Sequence, residues 1–168
     1  RTGQDGDVIE GSPRLRVIHT PGHTAGDVCY WDEASGALFA GDAVLPHSHK
    51  LGAVLSKPDP VCGGRMQDKV ASLRKLLYYP VRHLFSGHGE PVLHKGSDHL
   101  KIALYSLHQS FHEDQPALAW AAVGNDLLDA GQAGEARQCA AKARGLDPGC
   151  AELTDLEERI ARAAHGQG

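Results

Sequence analysis

Three short turns leave this chain few ways to fold. Thr20-Pro21-Gly22-His23-Thr24, Gly41-Asp42 and Gly87-His88-Gly89 each follow directly on a run that reads as a β-strand. Each sets one metal-competent side chain beside glycine. A zinc-like ion needs imidazole nitrogen and carboxylate oxygen to converge to about 2.0–2.2 Å, and strand ends hold side chains more accurately than long loops do. Glycine suits these places because the backbone must bend sharply and come close to the site. Any one of the turns alone would be an ordinary turn or cap. Together and in this order they make His23, Asp42 and His88 the candidate metal ligands.

The elements between them follow from local pattern. Leu15 to His19 alternates and branches like a strand that runs into Pro21-Gly22, Asp27 to Trp31 reads as a second, and Ala37 to Ala40 as a third. Asp32-Glu33-Ala34-Ser35-Gly36 joins the last two as a hairpin loop, which returns the chain to the same sheet edge at Asp42. Residues 43–64, with Pro46, Pro58, Pro60 and a glycine pair, have no period. Met66 to Leu77 carries Val70, Leu73, Leu76 and Leu77 at helical spacing and stops near Pro80. Val81 to Phe85 is a buried-type strand ending at the third turn.

At 168 residues there is room for one ordinary domain, or a small domain with an appendage. A hydrophobic share of 41% and a net charge of −4 describe a globular chain without a global basic field, so a broad nucleic-acid surface is not expected. No apolar run approaches a membrane span. Cys29, Cys62, Cys139 and Cys150 lack Cys-x-x-Cys spacing and read as reduced, partly buried thiols, which fits the cytoplasm. The chain starts at Arg1 rather than Met, within what reads as a domain, and an N-terminal part is expected to be missing.

The succession LRVIHTPGHTAGDVCYWDEASGALFAGD from Leu15 to Asp42, then a helix, then RHLFSGHGEPV from Arg82 to Val92, resembles the C-terminal half of the metallo-β-lactamase-fold hydrolases, which include glyoxalase II type thioesterases. The resemblance implies an α/β fold, half of an αββα sandwich, over residues 1–95. It also implies a pair of divalent metal ions, zinc first, with manganese or iron as alternatives. His23 matches a ligand of the first metal, Asp42 the carboxylate shared by both, and His88 a ligand of the second. The family's remaining ligands lie in a His-x-His-x-Asp-His motif upstream of these positions. No such motif occurs in this chain, and His47-Ser48-His49 lies after Asp42 and lacks the Asp-His that should follow. The implied activity is hydrolysis of a small thioester, lactone, ester or phosphodiester by the complete protein, with this chain inactive alone. A non-catalytic module that binds a protein partner through its tail, and an RNA-cleaving relative, are the alternatives.

Residues 96–116 read as a connecting helix, with Leu100, Ala103, Leu104 and Leu107 on one face. In residues 117–168, Trp120, Val123, Gly124, Leu127, Ala136, Ala140, Ala143 and Pro148 form a pattern that resembles a single tetratricopeptide repeat. Leu153, Leu156, Ile160 and Ala163 give the helix expected to cap it. One repeat cannot bury its own apolar face, so a small all-α appendage is expected to pack on the rest of the chain, on itself or on a partner. The half-sandwich would likewise leave a sheet face uncovered, and self-association is expected from it. His19 and His83 are read as structural. His94, His99, His108, His112 and His165 are placed on solvated helix faces or their flanks, and His47 and His49 in a loop near the cleft. Asp27 reads either as a second-layer support of the site or as a surface turn, and Glu90 as a capping residue.

Overall fold

The computed structural model describes residues 3–11, 14–47, 56–112 and 115–165. His49 lies outside the described residues. Two compact units are present, Arg1–Ala103 and Leu104–Gly168, and the division falls inside a helix.

The first unit is built on one five-stranded sheet of β1 (Val8–Ile9), β2 (Leu15–His19), β3 (Val28–Asp32), β4 (Ala37–Gly41) and β5 (His83–Ser86), in that spatial order. Neighbours pair antiparallel as far as β4, and β4 pairs with β5 in parallel. The parallel step needs a crossover, which carries helix α1 (Met66–Leu76). As a result β2, β4 and β5 run in the same direction and finish at one edge, while β3 runs back to the other. Those three are the strands that precede His23, Asp42 and His88.

Register assigns the two faces. Trp31, Leu38 and Leu84 are cross-strand partners and are 4%, 0% and 0% exposed, so their row lies in the core, each side chain contributing about 1.5–3 kcal/mol of burial. Tyr79, just after α1, packs against Trp31 in an edge-to-face arrangement with ring centroids 5.6 Å apart. The next row, Tyr30, Phe39 and Phe85, faces the opposite way; Phe39 stacks on Phe85 at 5.1 Å and is still 38% exposed. Helix α1 begins with Asp68 in its first turn and ends with Arg74 and Lys75 in its last, which matches the sign of the helix dipole at both ends.

Helix α2 (Gly96–Phe111) crosses the division. The second unit continues with α3 (Pro116–Asp129), α4 (Ala133–Leu146) and α5 (Ala151–His165). Proline opens α3, where its missing N–H costs nothing. Val123 and Leu127 of α3 and Leu156 of α5 are fully buried, and Gly124 lets Leu156 close on α3. Arg144 pairs with Glu157, and Arg159 with Asn125 and Asp129, so α5 is tied to both preceding helices. Tyr105 stacks on Trp120 at 4.2 Å, and the Lys142 ammonium lies 3.9 Å from the Trp120 ring.

Two expectations are corrected here. His108 does not lie on a solvated face: its Nε2 sits 2.7 Å from Asp126 Oδ2, with both side chains buried. His99 is half-buried, and its Nδ1 accepts the backbone N–H of His47 at 3.0 Å. Burial, followed by the neighbouring His47, holds the His99 imidazole below its ordinary pKa.

Candidate metal centre

His23, Asp42 and His88 come together around the Asp42 carboxylate. His88 Nδ1 lies 2.7 Å from Asp42 Oδ1, and His23 Nε2 lies 3.8 Å from Asp42 Oδ2. A carboxylate only accepts, so the His88 Nδ1–H donates and Nε2 is the ring nitrogen turned to solvent and to any further partner. The same argument fixes His23, whose Nδ1–H donates to the carbonyl of Lys57 at 2.6 Å and leaves Nε2 turned toward Asp42. The His88 side chain is 76% exposed and that of Asp42 27%, so the edge is open to solvent.

The turns are shaped by close backbone approach. A Cβ on Gly87 would fall 2.5 Å from Asp42 Oδ1, so glycine at 87 is what allows His88 to reach that oxygen. A Cβ on Gly64 would fall 2.0 Å from the His23 carbonyl, which in turn accepts the Asp59 N–H at 2.7 Å. The segment Cys62-Gly63-Gly64-Arg65 therefore lies against the backbone of the His23 turn, and the Cys62 carbonyl accepts the Ala25 N–H at 3.0 Å. Cys62 is exposed, while Cys29, Cys139 and Cys150 are buried, and none of the four is in a disulfide. Asp27 fastens the same turn: its carboxylate accepts the Thr24 N–H at 2.8 Å and the Thr24 hydroxyl at 2.5 Å.

Lys69 was not singled out by sequence pattern. It is 2% exposed, and its ammonium lies 3.1 Å from the Ala43 carbonyl and 3.5 Å from that of Asp42. Burial pulls its pKa below the ordinary lysine value, against the opposing pull of the Asp27 and Asp42 carboxylates. Cys29, beneath the edge, contacts the Thr20 hydroxyl at 3.2 Å, and burial pushes its thiol up to about 11. Such a thiol is a packing group and not a nucleophile.

His19, His83 and His94 have other neighbours. His19 Nε2 is 3.1 Å from the Gly3 carbonyl, and His83 approaches His94 at 5.9 Å between ring centroids. Two imidazoles flanking a carboxylate are the right donors in kind for a divalent ion. In number and aim they fall short of a cage: His88 meets Asp42 by a hydrogen bond, and among the described residues no three His, Cys, Asp or Glu side chains are grouped to hold an ion by themselves. Nor, among those residues, is any helix long and apolar enough to cross a membrane.

Comparison with known proteins agrees with this architecture. Hydroxyacylglutathione hydrolase of Rhodospirillum rubrum is 42% identical over 90 residues, 52% of this chain and 32% of that protein. Human acyl-coenzyme A thioesterase MBLAC2 is 50% identical over 46 residues, 27% of this chain and 16% of its own length. The chain thus spans a third or less of these curated relatives. A beta-lactamase domain protein of Burkholderia ambifaria superposes with a TM-score of 0.50 over 79% of this chain and 42% of its own, and at 20% identity that likeness concerns the fold. The family described as the metallo-beta-lactamase superfamily matches residues 1–88, from the start of the chain to His88 in the last of the three turns. On that match the chain belongs to the metallo-β-lactamase superfamily.

Proposed function

We propose that this chain is the C-terminal half of a metal-dependent hydrolase domain, and that His23, Asp42 and His88 are its contribution to a site for two divalent ions. Zinc is our first choice of ion, with manganese or iron as alternatives. The observation that carries the reading is the placement of an imidazole beside each oxygen of Asp42, at one sheet edge, in a chain of this superfamily. Such an ion pair, when bound, supplies hydroxide from water near neutral pH and polarises the bond to be broken.

Within the site the chain's own groups have distinct tasks. Asp42 has two oxygens to share. His23 offers Nε2 because the Lys57 carbonyl holds the proton on the other nitrogen. His88 is oriented by Asp42 itself. A small thioester is the favoured substrate, since two of the relatives are named for hydrolysing thioesters; lactones, other esters and phosphodiesters follow.

A companion reading is that this chain alone is not catalytic, because its sequence has no His-x-His-x-Asp-His motif. Its helical tail, read as tetratricopeptide-like, would then serve a protein partner, and the cytoplasm remains the proposed location. RNA cleavage is the least favoured alternative on a net charge of −4.

The test is metal analysis and thioester hydrolysis by the full-length protein and by this chain. The full-length protein should hold two ions and hydrolyse a glutathione or coenzyme A thioester, and the chain alone less than one ion with no turnover. Asp42→Ala should remove both properties from the full-length protein. Retention of both by that variant would sink the assignment.

A further inference from the structure

Helix α1 turns a polar stripe toward the sheet edge that bears the three donors. The Lys69 ammonium donates to the Ala43 carbonyl at 3.1 Å and reaches that of Asp42 at 3.5 Å. Its backbone lies so close to Gly22 that a Cβ there would come within 2.6 Å of Lys69 Cα. Ser72, 4% exposed, donates its hydroxyl to the Pro21 carbonyl at 2.7 Å. One face of α1 therefore grips the main chain at Pro21-Gly22, immediately before His23, and at Asp42-Ala43.

Lysine is rarely this buried without partners, because removing an ammonium from water is costly. Here the ammonium N–H groups donate to main-chain oxygens, and the Asp42 carboxylate keeps both oxygens for the imidazoles. A compact ammonium can reach two carbonyls at once, whereas a serine hydroxyl supplies only one proton.

We propose that Lys69 and Ser72 are positioning residues of the site: together they fix the His23 turn relative to Asp42, and so set the spacing of the donor groups. The proposal rests on the reading of His23, Asp42 and His88 as donors. It implies that removing the ammonium displaces the imidazoles while the sheet persists.

The experiment uses this 168-residue chain with 15N-labelled histidine, reading the rings of His23 and His88 by NMR and the fold by circular dichroism. Lys69→Met, which keeps the stem and loses the donors, should shift both ring signals. Ser72→Ala should shift that of His23. Lys75→Met, which removes the exposed contact to the His19 carbonyl on the same helix, should shift neither. Wild-type ring signals in a folded Lys69→Met chain overturn the proposal. Should Lys69→Met fail to fold, Ser72→Ala decides: a moved His23 ring upholds the mooring and an unmoved one overturns it. In the full-length protein, Lys69→Met should weaken zinc binding by about tenfold or more. A full-length wild type that takes up none of zinc, manganese or iron, alongside shifted rings in the variant, would sink the hydrolase reading and leave the positioning role standing. Normal zinc uptake with unmoved rings would do the reverse.

Discussion

The meeting of His88 with Asp42 depends on a residue that has no side chain. Gly87 faces Asp42 Oδ1 so closely that one added methyl would meet it at 2.5 Å, with the Gly41 carbonyl carbon at 3.3 Å. Neither neighbour is the free end of a long side chain, so relief must come from moving a turn. Gly87→Ala should therefore separate His88 from Asp42 and cost about 1–3 kcal/mol of stability. Thermal denaturation checks the second effect and the His88 ring signal the first; a variant with wild-type values in both would contradict this account of the turn.

At the level of elements, the sheet depends on an N-terminal segment that pattern alone left as a turn. Asp5 accepts the backbone N–H of His19 at 2.7 Å and the Lys75 ammonium at 3.1 Å, which pins the segment to the end of β2 and to α1. The His19 hydrogen bond first, with Lys75 assisting against partial burial, holds the Asp5 carboxyl below its ordinary pKa. A carboxyl depressed in the folded state adds stability above its unfolded pKa, and that contribution is lost as pH falls through the folded value. Between roughly pH 5 and 2, wild type should therefore lose more stability than Asp5→Asn, as thermal melts at several pH values would register. Parallel losses in the two proteins would exclude the link.

The same elements measure what the sequence made legible. Leu15–His19 was readable because alternation and the following Pro-Gly both mark its limits, and Met66–Leu76 because its leucines keep helical spacing. Val8–Ile9 was not, since two residues carry no period. The Lys69 contacts were out of reach because periodicity cannot separate a buried lysine from a surface one, and the partner of His23 is a main-chain carbonyl, which no side-chain motif records. His108 did leave a signal: it stands four residues after Leu104 and beside Leu107, both fully buried, on the apolar stripe of α2. Asp126 likewise sits three residues after Val123 and one before Leu127.

For the molecule as a whole, the row of Tyr30, Phe39 and Phe85 turns aromatic surface away from the core row, and Phe39 is 38% exposed. Self-association of the isolated chain is the expected consequence, and light scattering should report a mass above that of one chain, reduced by Phe39→Asp. A compact monomer would remove this expectation and leave the reading of the site untouched. The strand directions separate two kinds of tolerance. With β2, β4 and β5 all delivering His23, Asp42 and His88 to one end, the hairpin at Asp32–Gly36 belongs to the far end, where Asp32 braces it through Ala34 and Ser35. A foreign peptide or fluorescent label spliced in after Ala34 would leave the cluster around Asp42 undisturbed, while a single residue added before His23, Asp42 or His88 would put it out of reach of its companions.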